Sequence, residues 1–148
     1  MLKIDKSVQE LAKDCILNTL ENCENFENKD KLLKAYKSTI KGLGSMIIQN
    51  GLYGTVIFYR SKMNPKSEKK DKEKNKKADE KKYIEYILDD LCAFFEEFYD
   101  FENIEKDNYN NFLEFLEKGN LKEFQDRILS FVGWYRRYAD IFIEKDKD

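Results

Sequence analysis

The sequence contains no histidine. Ser–His and Cys–His nucleophile pairs, the commonest general base, and every zinc or iron site that uses imidazole are therefore excluded. The three cysteines, Cys15, Cys23 and Cys92, are an odd number with no CxxC pair. Neither a disulfide framework nor a Cys-only zinc site is expected from them. Cys15 and Cys23 fall at apolar helical positions and read as reduced core thiols of a cytoplasmic protein. One proline and six glycines are few for an all-β domain with many turns. The apolar runs, such as residues 55–59, are far short of the roughly 20 residues of a membrane span. With 38% charged residues, no membrane association is expected. No charged start followed by an apolar stretch and a small-residue cleavage site appears, so nothing suggests secretion.

What is present is a chain of 148 residues, 41% apolar and 14% aromatic, with 11 Phe and 9 Tyr. That is enough to build one domain with its own core. The net charge of −2 conceals a strong asymmetry. Residues 1–30 carry −3, residues 31–62 carry +6 with no acid at all, residues 63–82 carry +4, and residues 83–148 carry −9. A basic first half and an acidic second half point to a partner, either a polyanion or a protein of opposite charge.

Apolar periodicity predicts helices throughout, hence an all-α single-domain bundle of about five or six helices. The first covers residues 7–25, where Ser7 and Glu10 have capping-box spacing and Val8, Leu11, Cys15 and Leu20 recur at helical intervals. A second covers residues 30–43. At 100° per residue Leu32, Leu33, Tyr36, Ile40 and Leu43 fall within an arc of about 100°. Lys34, Lys37 and Lys41 fall opposite, with Lys31 beside them. Solvated helix faces usually mix signs, because Glu–Lys pairs support the helix; a face of one sign implies a counter-charge from outside. Gly42 and Gly44 are expected to bend or break the helix. A third helix, residues 45–61, is apolar nearly all round and is expected to be central. Gly51 and Gly54 would let a neighbouring helix approach it closely, and Gln49, Tyr53 and Arg60 share its remaining polar strip.

Residues 63–82 are lysine-rich with almost no apolar residue, which suits a mobile loop within the domain. Helices follow at residues 79–99, 107–117 and from Asn120, which with Glu123 resembles a capping box, to residue 144; Gly119 separates the last two. On the last helix Gly133 and Arg137 point outward, with Arg136 on the rim.

The motifs that carry chemistry are missing. Gly42-Leu-Gly44 lacks the third glycine of a dinucleotide fingerprint and a preceding strand. Gly51-Leu-Tyr-Gly54 matches the GxxG loop of a KH domain in letters only. Asp100-Phe-Glu102 opens like a calcium loop but has Glu105 where the loop needs glycine. The carboxylates of the second half fall at mostly outward helical positions, so no metal or other cofactor and no enzymatic activity are expected.

Residues 36–62, YKSTIKGLGSMIIQNGLYGTVIFYRSK, resemble the small helical subunit of type III-B CRISPR effector complexes, a Cmr-type family. Met46, Ile47, Ile48, Gln49, Asn50, Gly51, Leu52, Phe58 and Lys62 match the family's apolar-Gln-Asn-Gly-Leu motif. Near the C-terminus, Leu129, Trp134, Arg136, Arg137, Tyr138 and Ala139 match its second signature. Gly44 stands where the family usually has proline, and the lysine-rich segment is longer than expected. The resemblance implies a non-catalytic subunit that stacks with further copies of itself beside the backbone and other subunits of the complex, and that contacts the backbone of guide and target RNA. The candidate RNA contacts are Lys34, Lys37, Lys41, Gln49, Tyr53, Arg60, Lys62, Arg136 and Arg137. The alternative is a helical protein–protein adaptor with no nucleic-acid role.

Overall fold

The computed structural model describes residues 7–63, 77–104 and 107–143. Among them are five α-helices and no strand: α1 (Val8–Cys23), α2 (Lys29–Lys62), α3 (Lys82–Phe98), α4 (Asn110–Lys118) and α5 (Leu121–Phe142). The architecture is the expected all-α single-domain bundle.

The helix ends follow their local chemistry. The Ser7 hydroxyl accepts the Glu10 N–H at 3.0 Å, and the Glu10 carboxylate accepts the Ser7 N–H at 3.1 Å, a complete capping box. The Asn120 side chain accepts the Glu123 N–H at 3.1 Å. The Glu123 carboxylate instead accepts the Tyr99 hydroxyl at 3.1 Å. Gly119 ends α4 for lack of room rather than for backbone freedom. Its φ of −100° is open to any residue, but a Cβ there would lie 2.4 Å from the Phe124 ring.

Three expectations for the middle of the chain are corrected. The break does not fall at Gly42 and Gly44, where the helix runs on without interruption. It falls at Gly51, whose φ of 81° and ψ of 158° lie in a region essentially reserved for glycine. Past the kink the Leu52 N–H loses its helical acceptor, and Gln125 of α5 takes that role at 3.1 Å. Nor is the second half of α2 enclosed. Ile47, Leu52 and Val56 are buried, but Ile48 is 66% exposed and Ile57 and Phe58 about as exposed as Leu17. Helix α5 lies against both α1 and α2, and α2 as a whole touches each of the other four helices. Gly54 has only Asn50 of its own helix near its Cβ position, so no neighbouring helix needs it.

The core runs through Leu32, Tyr36, Ile40, Leu43 and Ile47 of α2, Ile87, Leu91, Phe94 and Phe95 of α3, and Ile128, Phe131 and Tyr135 of α5. Much of the aromatic content gathers at one end. There Phe95, Tyr99, Phe115 and Phe124 pack edge-to-face, tilted or stacked, with centroids 5.0–6.4 Å apart.

Of the lysine-rich segment, residues 64–76 lie outside the described residues, and so does the mobility expected of them. Both flanks are seated: Met63 is buried, and the Asn28 amide both donates to the Ala78 carbonyl and accepts its N–H, each at 2.9 Å.

Candidate nucleic-acid interface

Helices α2 and α5 carry most of the candidate residues, and three contacts set their register. The Lys37 ammonium donates to the Ile143 carbonyl at 3.0 Å. A Cβ on Gly44 would lie 3.7 Å from Val132. Leu52 is held by Gln125. Rising numbers on α2 therefore meet falling numbers on α5, and the helices are antiparallel.

This register corrects the lysine face. Lys37 does not stand in solvent beside Lys34 and Lys41; it is 8% exposed. Its stem lies in the α2–α5 seam, and its ammonium caps the C-terminal end of α5, with Asp140 at 4.0 Å. A helix C-terminus offers unpaired carbonyls and a negative partial charge, so a lysine is the fitting partner. On the wheel Lys37 lies about 40° outside the apolar stripe, nearer to it than Lys34 or Lys41, and the wheel is blind to the neighbour that covers it. The counter-charge sought from outside is also partly internal. Lys31 pairs with Glu80 at 3.6 Å on the surface, which contributes little.

Lys34 and Lys41 are exposed. At 100° per residue Lys41 lies within about 60° of Lys37 and Gly44, both of which face α5, and Lys34 lies about 20° further round. On α5, exposed Arg136 lies within about 40° of Val132, Gln125 and Ile143, which face α2. Interpolating the register sets Lys41 level with Arg136. The tertiary structure thus brings two cations, far apart in sequence, to the same height on adjacent helix edges, with Lys34 continuing the row.

The remaining candidates lie elsewhere. Arg137 turns to the next face of α5, with its guanidinium over the Trp134 indole at 4.9 Å. That ring continues a ladder with Tyr138 and Phe142, centroids 6.3 and 5.9 Å apart, and the Tyr138 hydroxyl accepts from Gln9 of α1 at 3.0 Å. Gly133 is exposed with nothing within 4 Å of its Cβ position. Gln49 is exposed, and Tyr53 is partly buried beyond the kink. Lys62 lies over the Phe58 ring at 4.9 Å. Arg60 has an intramolecular task. Its Nε donates to the Asn108 carbonyl at 2.6 Å and its Nη2 to the Asn110 side chain at 3.0 Å. This clamps a turn in which Asn108 and Tyr109 both have positive φ, 55° and 65°.

Sequence reasoning passed over one buried polar group. Asp90 sits on the apolar stripe of α3 with Ile87, Leu91 and Phe94, and its carboxylate accepts the hydroxyls of Tyr36 and Tyr135, each at 2.5 Å. Burial pushes its pKa up to about 7, against the pull of both hydroxyls. The signal lay in the sequence: an aspartate at the centre of an otherwise apolar helical stripe. No group of three or more His, Cys, Asp or Glu that could hold a metal occurs among the described residues.

A family model described as CRISPR-associated protein (Cas_Cmr5) matches residues 9–142. The chain is also similar to the CRISPR system Cmr subunit Cmr5 of Thermotoga maritima, 40% identical over 62 residues. That match covers 42% of this chain and 43% of the relative, so it spans less than half of either protein. No solved structure matches significantly.

Proposed function

The chain belongs to the Cmr5 family of CRISPR-associated proteins, and from that premise we propose that it is a non-catalytic small subunit of a type III-B CRISPR ribonucleoprotein. In this reading it stacks with further copies of itself beside the other subunits and contacts the RNA backbone. The observation that supports the RNA contact is the antiparallel register of α2 and α5 fixed by Lys37–Ile143 and Leu52–Gln125, from which exposed Lys41 and Arg136 are inferred to lie level across the seam, with Lys34 beyond. A row of cations on rigid helices suits regularly spaced phosphates and reads no sequence, which agrees with recognition by base pairing between guide and target. Lys37 supports the surface from within by tying α2 to the end of α5. Exposed Ile48, Ile57 and Phe58 supply apolar area for neighbouring subunits, and the acidic second half of the chain supplies a counterpart for basic surface on the next copy.

The test is target-RNA capture by the assembled complex carrying Lys34→Glu, Lys41→Glu and Arg136→Glu. Capture weakens, and the slope of log affinity against log salt falls by roughly 0.7–0.9 for each phosphate no longer neutralised. Unchanged capture and slope, with normal assembly, would overturn the RNA contact and leave the protein–protein adaptor.

A further inference from the structure

Four helices meet at one carboxyl group that the RNA reading does not use. Asp90 of α3 accepts Tyr36 of α2 and Tyr135 of α5 on the same oxygen, Oδ2. The two tyrosine oxygens are 3.4 Å apart. Cys15 of α1 also hydrogen-bonds the carboxyl, and Thr19 of α1 hydrogen-bonds Tyr36. The groups that act on it most strongly are these tyrosines, Cys15 and the neighbouring Asp89; none is a cation. Lys37, next to Tyr36 in sequence, is turned away to Ile143.

Such a network serves either charge state. When ionised, the carboxylate takes its donors from the tyrosines and the thiol. When protonated, its O–H donates to one tyrosine oxygen, and that tyrosine's proton turns to the other. Neither state orphans a group, but only the ionised state buries a charge with no counter-ion. We propose that Asp90 is a protonation-operated clasp, which locks α1, α2, α3 and α5 together when neutral and loosens their junction when ionised. The proposal does not depend on the RNA reading, although the clasp lies beneath the α2–α5 seam, with Tyr135 next to Arg136.

The sign follows from linkage. A carboxyl whose folded pKa lies above its unfolded value of 3.8 makes a contribution fully present below about pH 4. That contribution is lost as pH rises to the folded value of about 7. The absence of histidine makes this readable, because between about pH 5.5 and 7.5 no ordinary side chain titrates. Guanidinium unfolding of the full chain should show an unfolding constant that rises about tenfold per pH unit between about pH 5 and 6.5 and levels off above pH 7.5. Asp90→Asn should flatten that rise. Carbon-13 titration of the wild-type Asp90 carboxyl needs no variant and should give a midpoint near neutrality. Tyr135→Phe, by removing a donor to the carboxylate, should move the midpoint higher. A midpoint below pH 5, or wild-type stability flat from pH 5 to 7.5, overturns the clasp.

Discussion

Lys37 offers the sharpest test of the tertiary structure, because a helical wheel and the packed bundle disagree about it. Read from the wheel alone it groups with Lys34 and Lys41 as a surface lysine, although it is the nearest of the three to the apolar stripe. In the bundle its ammonium donates to the Ile143 carbonyl at 3.0 Å and lies at the C-terminal end of α5. Lys37→Met keeps most of the buried stem and removes the charge. The charged hydrogen bond it removes is worth about 1.5–3 kcal/mol, and the cation at the helix end about 0.3–1 kcal/mol. The Asp140 contact, 4.0 Å long with that carboxylate half exposed, adds little. Relief from burying an ammonium offsets part of the loss, so the expected cost is about 2–3 kcal/mol. Lys37→Glu sets a carboxylate against Asp140 and the α5 carbonyls and should cost at least about 4 kcal/mol, a large share of a stability of about 5–15 kcal/mol. Lys34→Glu and Lys41→Glu, on exposed positions, should each stay within about 0.5 kcal/mol. In guanidinium unfolding the methionine variant should shift the midpoint down by roughly 0.5–1 M. A shift under about 0.2 M would refute the capping role. Reversing Lys37 along with Lys34 and Lys41 would confound weaker RNA binding with impaired folding, so Lys37 stays intact where RNA capture is measured.

Gly51→Ala forces a side chain into a region essentially closed to it, and should cost about 1–3 kcal/mol in chemical unfolding. Gly133→Ala, on an exposed helix face with open space at its Cβ, should instead stabilise by up to about 1 kcal/mol. Arg60→Ala should cost about 2 kcal/mol by releasing Asn108 and Asn110, and amide hydrogen exchange should quicken in α4 more than in α1.

The sequence by itself determined the helical class, most helix ends and most of the core. These depend on information within a few residues: the Ser7–Glu10 box, the stripe from Leu32 to Leu43, the Asn120 cap. The Cmr-type resemblance was likewise legible in two short motifs, and the family match over residues 9–142 agrees with it. Only the tertiary structure decided which glycine breaks α2. Gly42, Gly44 and Gly51 have equal backbone freedom, and the kink falls at Gly51, where Gln125, 73 positions away, receives the Leu52 N–H. Packing also decided the fate of the charges. Lys37 is buried by the end of a helix 106 positions later, while Lys41 is brought level with Arg136. A wheel reports the direction a side chain takes from its own axis; it carries no information about what lies there, and that is settled by the assembly of helices whose contacts are remote in sequence.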